Sequence, residues 1–385
     1  MILGHAPLTS DHPDFGAFER HPGRWVMDQA FALSQYSDFN IILVTVVKGA
    51  TKDFKLQMGK LSIIYLRAQP RFRVWTLFLW DRYRLRNLIK YEKPDLVHAH
   101  GIEDSYALAI CKLKIPKELT LQALYEDYNN KNVVKWYSAP RLIECLEKRA
   151  LKGFETAIVK SQQFKEVVQK YHPSLRCIII PNTLNRIFLD ILDVPFQKNK
   201  LAFVGTICER KGFHVIRKAL EKIDPNHHAL ELHVYGDGGD IDYIRSECTA
   251  IEATGHKLFN HGSVSAEQLA DELSTTNILI APSYGETFGN QVIEAMLCRC
   301  HCIVSEETGM AENIRKYGHG TIVPQRGSNE IAEAIIIQLI HETPDQEMDC
   351  REAARSMLID DLGLERIASR LVSVYEKVML GKEKT

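Results

Sequence analysis

The stretch Asn277–Ser305, NILIAPSYGETFGNQVIEAMLCRCHCIVS, decides how the rest of the chain is read. Asn277 to Ala281 is a short apolar run closed by Pro282, the pattern of a strand buried in a parallel sheet. A polar turn, Ser283-Tyr284-Gly285-Glu286-Thr287, follows, and Thr287 is placed to cap a helix running to about Arg299. His301 to Ser305 supplies the next strand. A strand end, a glycine (Gly289) and a helix N-terminus make an anion site, because the first helical amides have no partner within the helix. Glu286 and Glu294 stand on either side of it. Carboxylates repel a bare phosphate but accept hydrogen bonds from hydroxyls. A ligand carrying both a diphosphate and sugar hydroxyls reconciles the two.

The composition sets the frame. At 385 residues the chain is expected to form about two domains. A net charge of −1 argues against bulk binding to nucleic acid. Nine cysteines without paired spacing read as reduced thiols of a cytoplasmic protein. The N-terminal MILGHAPLTSDHPDF lacks the pattern of a signal peptide, and no window reaches the ~20 apolar residues of a membrane span. The expected location is cytoplasmic, or peripheral to the inner face of the membrane.

Upstream, residues 1–195 alternate strands (Met1–Gly4, Ile41–Val47, Leu61–Leu66, Leu96–His100, Leu119–Leu124, Thr156–Lys160, Cys177–Ile180) with helices near 24–37, 75–92, 103–112, 138–152 and 162–171. Alternation of this kind implies a parallel sheet covered by helices, with ligands at the carboxyl ends of the strands. The loop from His5 to Gly23, with Asp14 and Gly16, either lines a substrate cleft or is simply solvated. The stretch 67–93 holds eight Lys or Arg among aromatic residues. Its basic face could contact anionic lipid; a domain helix with a solvated face is the plainer reading. His98 and His100 share a strand face, without a carboxylate or cysteine at matching spacing to complete a metal site. His100, at the strand's end, is the better candidate of the two to meet substrate; a hydrogen-bonded structural histidine is the other reading.

The pattern thins between Ile191 and Asn199, as in a linker, and a second series begins: Leu201–Gly205, Leu230–Tyr235, Lys257–Asn260, Ile278–Ala281, Cys302–Ser305 and Thr321–Val323. Two α/β halves imply a cleft between domains, and the run Leu364–Leu380 is placed to return across it. In the turn Gly205-Thr206-Ile207-Cys208-Glu209-Arg210-Lys211-Gly212, the glycine permits close backbone approach and two cations precede a helix. The turn is not a P-loop, and Tyr235–Asp240 lacks the spacing of a nicotinamide site. Cys298, Cys300 and Cys302 lack a fourth ligand for zinc and are expected as buried small residues.

Taken together, Glu286 and Glu294 in E-x7-E spacing, Ala295-Met296, Pro282-Ser283, Gly205 with Lys211-Gly212, Asp95–Gly101 and Thr308–Glu312 resemble the family 4 retaining glycosyltransferases. The resemblance is specific over about 200–325 and loose before that. It implies the GT-B fold, α/β with two Rossmann-like domains whose parallel sheets face an interdomain cleft. Residues 1–195 would bind acceptor, 196–363 the nucleotide-sugar donor, and the helix within 364–385 would pack back on the first domain. The implied reaction moves a sugar, hexosyltransferase-like, from a nucleotide-diphosphate sugar to a hydroxyl of a saccharide or lipid-linked acceptor, in polysaccharide, lipopolysaccharide or glycolipid assembly. By the same resemblance Glu286 binds the donor sugar, Lys211 neutralises the diphosphate and His100 stands near the sugar. Gly205, Thr206, Arg210, Phe288, Gly289 and Asn290 line the donor, Glu294 takes the ribose hydroxyls, and His261 and Gly262 pass the nucleobase. His5, Asp14 and Gly16 fall on the acceptor side. No metal or cofactor is expected, since Asp-x-Asp is missing and the nucleotide sugar is itself a substrate. Thr206 replaces the family's usual arginine, and Gln122–Asp127 departs from its histidine or glycine. A sugar phosphorylase, a nucleotide-sugar epimerase or a non-catalytic binder on the same scaffold are the alternatives.

Overall fold

The computed structural model describes residues 1–8, 24–68, 72–131, 134–191, 194–340 and 344–381. It divides into two compact units, Met1–Thr183 with Leu362–Thr385, and Leu184–Asp361. The second unit thus starts ahead of the thinned stretch 191–199. Phe188 is fully buried there, in a 3-10 turn (Arg186–Phe188) packed on the helix Ala266–Ser274.

The first unit holds β1 (Ile2–Leu3), β2 (Ile41–Val47), β3 (Phe54–Met58), β4 (Leu61–Arg67), β5 (Val97–His100), β6 (Lys117–Thr120), β7 (Thr156–Val159) and β8 (Arg176–Ile179). They form one sheet in the order β3-β4-β2-β1-β5-β6-β7-β8. All neighbours are parallel except β3 and β4. The near-continuous apolar sequence of β2 matches burial on both faces. The sequence reading passed over β3, whose FKLQM is a short, largely exposed edge strand. It also extended β6 through Leu124, where the chain instead turns into the helix Tyr125–Lys131. The C-terminal helix Leu364–Leu380 packs on the helix Arg24–Tyr36, and its Tyr375 hydroxyl meets His98 Nδ1 at 2.7 Å.

The helix expected over 75–92 begins at Leu79. Phe72, Leu77 and Phe78 adopt left-handed φ of 58°, 53° and 54°. A buried ion cluster accompanies this irregular entry: Arg73 Nε donates to Asp81 at 2.7 Å and its Nη2 to Asp104 at 2.7 Å.

The second unit holds β9 (Gln197–Val204), β10 (Glu231–Tyr235), β11 (Lys257–Gly262), β12 (Thr276–Ala281), β13 (His301–Ser305) and β14 (Thr321–Val323). Its all-parallel sheet runs β11-β10-β9-β12-β13-β14. The chain winds outward from β9 to one edge, then returns to β12 and winds to the other. The topological switch point lies between β9 and β12, where open α/β sheets bind ligands. β9 reaches back into the polar run that composition suggested was linker. Buried Lys200 is accommodated by Glu272 at 2.7 Å and Thr275 Oγ1 at 2.8 Å.

Candidate functional site

Three loops meet at the switch point of the second unit. The first leaves β9 at Gly205, makes the 3-10 turn Glu209–Lys211, and enters the helix Phe213–Leu220 through Gly212. Gly212 has φ 74°, and a Cβ built on it would stand 2.2 Å from the Pro282 carbonyl oxygen. Only glycine lets this loop lie against the second one, Pro282–Gly289 after β12. The Tyr284 N–H donates to the Arg210 carbonyl at 2.8 Å, which fastens the two together. The third loop, after β13, joins through the Gly309 N–H to the Glu286 carbonyl at 2.8 Å, and the last residue of β13 adds the Ser305 hydroxyl to the Ser283 carbonyl.

This bracing brings Lys211 and Glu286 into an ion pair, Nζ donating to Oε2, with side chains 13% and 18% exposed. The helix that follows spans Asn290–Leu297 and opens at Gly289, φ 98°, rather than at Thr287. A left-handed residue immediately before the first turn suits glycine and not threonine, which accounts for the shift. Glu294 lies half-buried one turn into the helix, and Phe288 is buried in the core. Thr206 and Arg210 are exposed on the first loop. Beyond the strand ends a short ladder continues, from the Gly205 N–H to Tyr235 O at 2.9 Å and from the Gly236 N–H to Gly262 O at 2.8 Å. It places Gly262 two strand spacings, roughly 10 Å, from Gly205. His261 stacks on Tyr235 with ring centroids 4.7 Å apart, and its Nε2 meets His233 Nδ1 at 3.0 Å. Sequence reading missed Tyr284, whose hydroxyl meets His214 Nε2 at 3.0 Å and whose ring lies under Arg326. Nothing in its local pattern marked it.

The candidates of the first half belong to the first unit. His100 ends β5, buried, its ring centroid 4.2 Å from that of His98. Burial, the neighbouring imidazole and the Lys160 ammonium hold it well below the usual histidine range, so it is neutral near pH 7. His5 approaches Asp104 Oδ2 at 3.4 Å and the Tyr106 hydroxyl at 3.3 Å. Asp14 and Gly16 lie outside the described residues. Cys298, Cys300 and Cys302 are buried, their thiols directed to the carbonyls of Ala270, Leu273 and Val292. Burial pushes the Cys300 thiol up to about 12, which suits packing rather than thiolate chemistry. Among the described residues no three His, Cys, Asp or Glu side chains gather as a metal site.

Residues 24–186 match the family model described as Glycosyltransferase Family 4, and residues 188–357 the one described as Glycosyl transferases group 1. An uncharacterized glycosyltransferase of Methanocaldococcus jannaschii is 22% identical over 332 residues, 81% of this chain and 83% of that protein. The sucrose-phosphate synthase structure from Thermosynechococcus elongatus superposes with a TM-score of 0.79 at 19% identity, covering 99% of both chains. Anabaena HepE, solved in complex with UDP and glucose, gives 0.68 at 16% identity, over 97% of this chain and 99% of that one. Both halves of the sequence and the fold of nearly its whole length therefore agree, and the chain belongs to the family 4 glycosyltransferases of the GT-B fold.

Proposed function

We propose that this glycosyltransferase uses a nucleotide-diphosphate sugar, retains the anomeric configuration and needs no metal. The observation that carries the reading is the Lys211–Glu286 pair at the switch point of the second unit, next to the helix that opens at Gly289. In this pair the ammonium and carboxylate satisfy each other. With donor, Lys211, Arg210 and the helix N-terminus take the diphosphate and offset the charge that grows on it as the glycosidic bond breaks. Glu286 turns to the sugar hydroxyls. Glu294, one turn into the same helix, accepts from the ribose hydroxyls, and the Asn260–Gly262 strand end passes the base. Glu286, engaged by a lysine, positions and stabilises rather than attacks; the acceptor hydroxyl enters on the face the diphosphate leaves, and its proton passes to the departing diphosphate oxygen. His100 is neutral and offers a hydrogen bond rather than a charge. The first unit holds the acceptor, a saccharide or lipid-linked hydroxyl; by family analogy the product belongs to polysaccharide, lipopolysaccharide or glycolipid assembly. The UDP and glucose named for the Anabaena HepE structure support a nucleotide-sugar donor.

Thermal-shift titration with UDP, GDP and ADP tests the donor site: at least one stabilises the wild type. Lys211→Ala and Glu294→Ala should each lower transfer by about 10²-fold or more while the chain stays folded. Full activity in both sinks the assignment. NMR of the product's anomeric proton reports retention or inversion.

A peripheral, cytoplasmic-face location rests on the first unit. Phe72, Trp75, Leu79, Trp80 and Tyr83 are all exposed on one segment, the composition of an interfacial aromatic belt. The cations beside them are largely engaged: Arg84 with Asp53 and Arg86 with the Ala109 carbonyl. Contact is therefore aromatic more than electrostatic. Co-flotation with phosphatidylglycerol vesicles should survive added salt and drop in Trp75→Ala/Trp80→Ala; flotation unchanged in that variant removes the idea. Among the described residues no helix is long and apolar enough to cross a membrane.

A further inference from the structure

One face of the first unit's sheet carries an unusual polar layer. His98 and His100 on β5 pair in register with Glu118 and Thr120 on β6, and Thr120 pairs with Ile158 on β7. Alternation puts Thr156, Ile158 and Lys160 on that same face, and the Thr156 hydroxyl indeed donates to Glu118 Oε2 at 2.9 Å. Deep in the layer every group is answered. His98 has Tyr375 and Thr120, and Glu118 also accepts from the Leu119 N–H at 3.0 Å.

One residue pair farther along, at the carboxyl ends of the strands, the pairing stops. Both ring nitrogens of His100, Nε2 of Gln122 and Nζ of Lys160 are buried without a hydrogen-bond partner among the described residues. His100 is 3% exposed; Lys160 ranks among the largest fully buried side chains. The Lys160 ammonium stands close enough to depress both imidazoles, and burial, with no carboxylate among the described residues opposing it, pushes it down to about 7. A buried donor left unpaired is destabilising, and a charged one more so. The cluster adjoins the β1–β5 boundary, where this sheet too reverses its winding. Nothing in the sequence marks Lys160, which reads as the polar flank of the strand TAIVK.

We propose that Lys160, His100 and Gln122 form an oxyanion subsite in the first unit, binding a carboxylate or phosphate carried by the acceptor sugar. Lys160 and Gln122 donate to the oxyanion. Neutral His100 donates through one ring nitrogen and accepts a sugar hydroxyl through the other. The acceptor is then an acidic saccharide, a uronate or a sugar phosphate. Only the word acceptor rests on the transfer reading above.

Thermal-shift titration of the full chain with glucuronate, glucose 6-phosphate, inorganic phosphate and glucose at pH 6.5 tests this. At least one anionic sugar should stabilise the wild type, and glucose should not. The first two ligands distinguish carboxylate from phosphate, and inorganic phosphate shows whether the sugar is needed. Lys160→Met should abolish the response and leave the nucleoside-diphosphate shift intact. Where that variant does not fold, the wild type decides: affinity for the responding anion should fall by about tenfold per pH unit above 7, as the ammonium loses its proton. The other titratable groups of the layer are His98, His100, Glu118, Tyr375 and the Met1 amine. Both imidazoles are already neutral and Tyr375 stays protonated, while Glu118, raised to about 7, adds negative charge in the same direction. No response to any anion, an equal response to glucose, a response kept in Lys160→Met, or affinity constant from pH 6.5 to 8.5 each overturn the proposal. Loss of the nucleotide shift alone would count against the donor site instead.

Discussion

Replacing Gly212 by alanine tests whether the closeness of two loops builds the donor site. Alanine at φ 74° pays about 1–2 kcal/mol for a left-handed backbone, partly offset by about 0.4–1 kcal/mol through the stiffer unfolded chain. Gly318→Ala in the same unit pays the same, at φ 69°, and its Cβ meets nothing within 4 Å. The clash is the difference between them. At 2.2 Å from the Pro282 oxygen, the new methyl forces the loops apart by roughly 1 Å. That movement strains or breaks the Tyr284–Arg210 hydrogen bond, worth about 1 kcal/mol, and separates Lys211 from Glu286. Gly318→Ala should therefore cost about 1 kcal/mol and Gly212→Ala about 3 kcal/mol. Urea unfolding of the two variants beside wild type gives the stabilities, and the nucleoside-diphosphate thermal shift gives the site. Gly212→Ala should lose most of that shift, and Gly318→Ala should keep it. If the two variants unfold alike and respond to nucleotide alike, the loops are not braced as described.

Burial raises the Glu118 carboxyl from 4.5 to about 7, equivalent to about 3 kcal/mol between its two protonation states. The folded protein holds the proton more tightly than the unfolded chain. The stability from this group is full below pH 4.5 and lost as pH rises through 7. Wild type should thus lose up to about 3 kcal/mol relative to Glu118→Gln between pH 4.5 and 8, measured by urea unfolding; a constant difference would contradict this. In a native alkylation time course read by mass spectrometry, exposed Cys145 and Cys350 should label early, and Cys298, Cys300 and Cys302 only on unfolding. Early labelling of the latter three would place them outside the core.

Much of the architecture is legible in local sequence because buried parallel strands are apolar runs, as Ile41–Val47 and Ile278–Ala281 are. The strand missed, Phe54–Met58, is an exposed edge with little burial to mark it. Local sequence hides the first half of β9 because Lys200 is polar, and Glu272 and Thr275, more than seventy residues away, make its burial tolerable. The cap lies at Gly289 and not at Thr287 because the loop after β13 fixes the path into that helix.

For the site, the sequence by itself determined which groups were available: two carboxylates eight residues apart, a lysine beside a glycine, and a helix start after a strand. Tertiary structure decided which of them meet. Lys211 and Glu286 are 75 residues apart and pair only because sheet order puts β9 beside β12 and Gly212 lets their loops touch. Lys160 shows the converse. Its charge is plain in the sequence, but its burial without a partner among the described residues depends on strand register, and register is set by contacts between residues far apart along the chain.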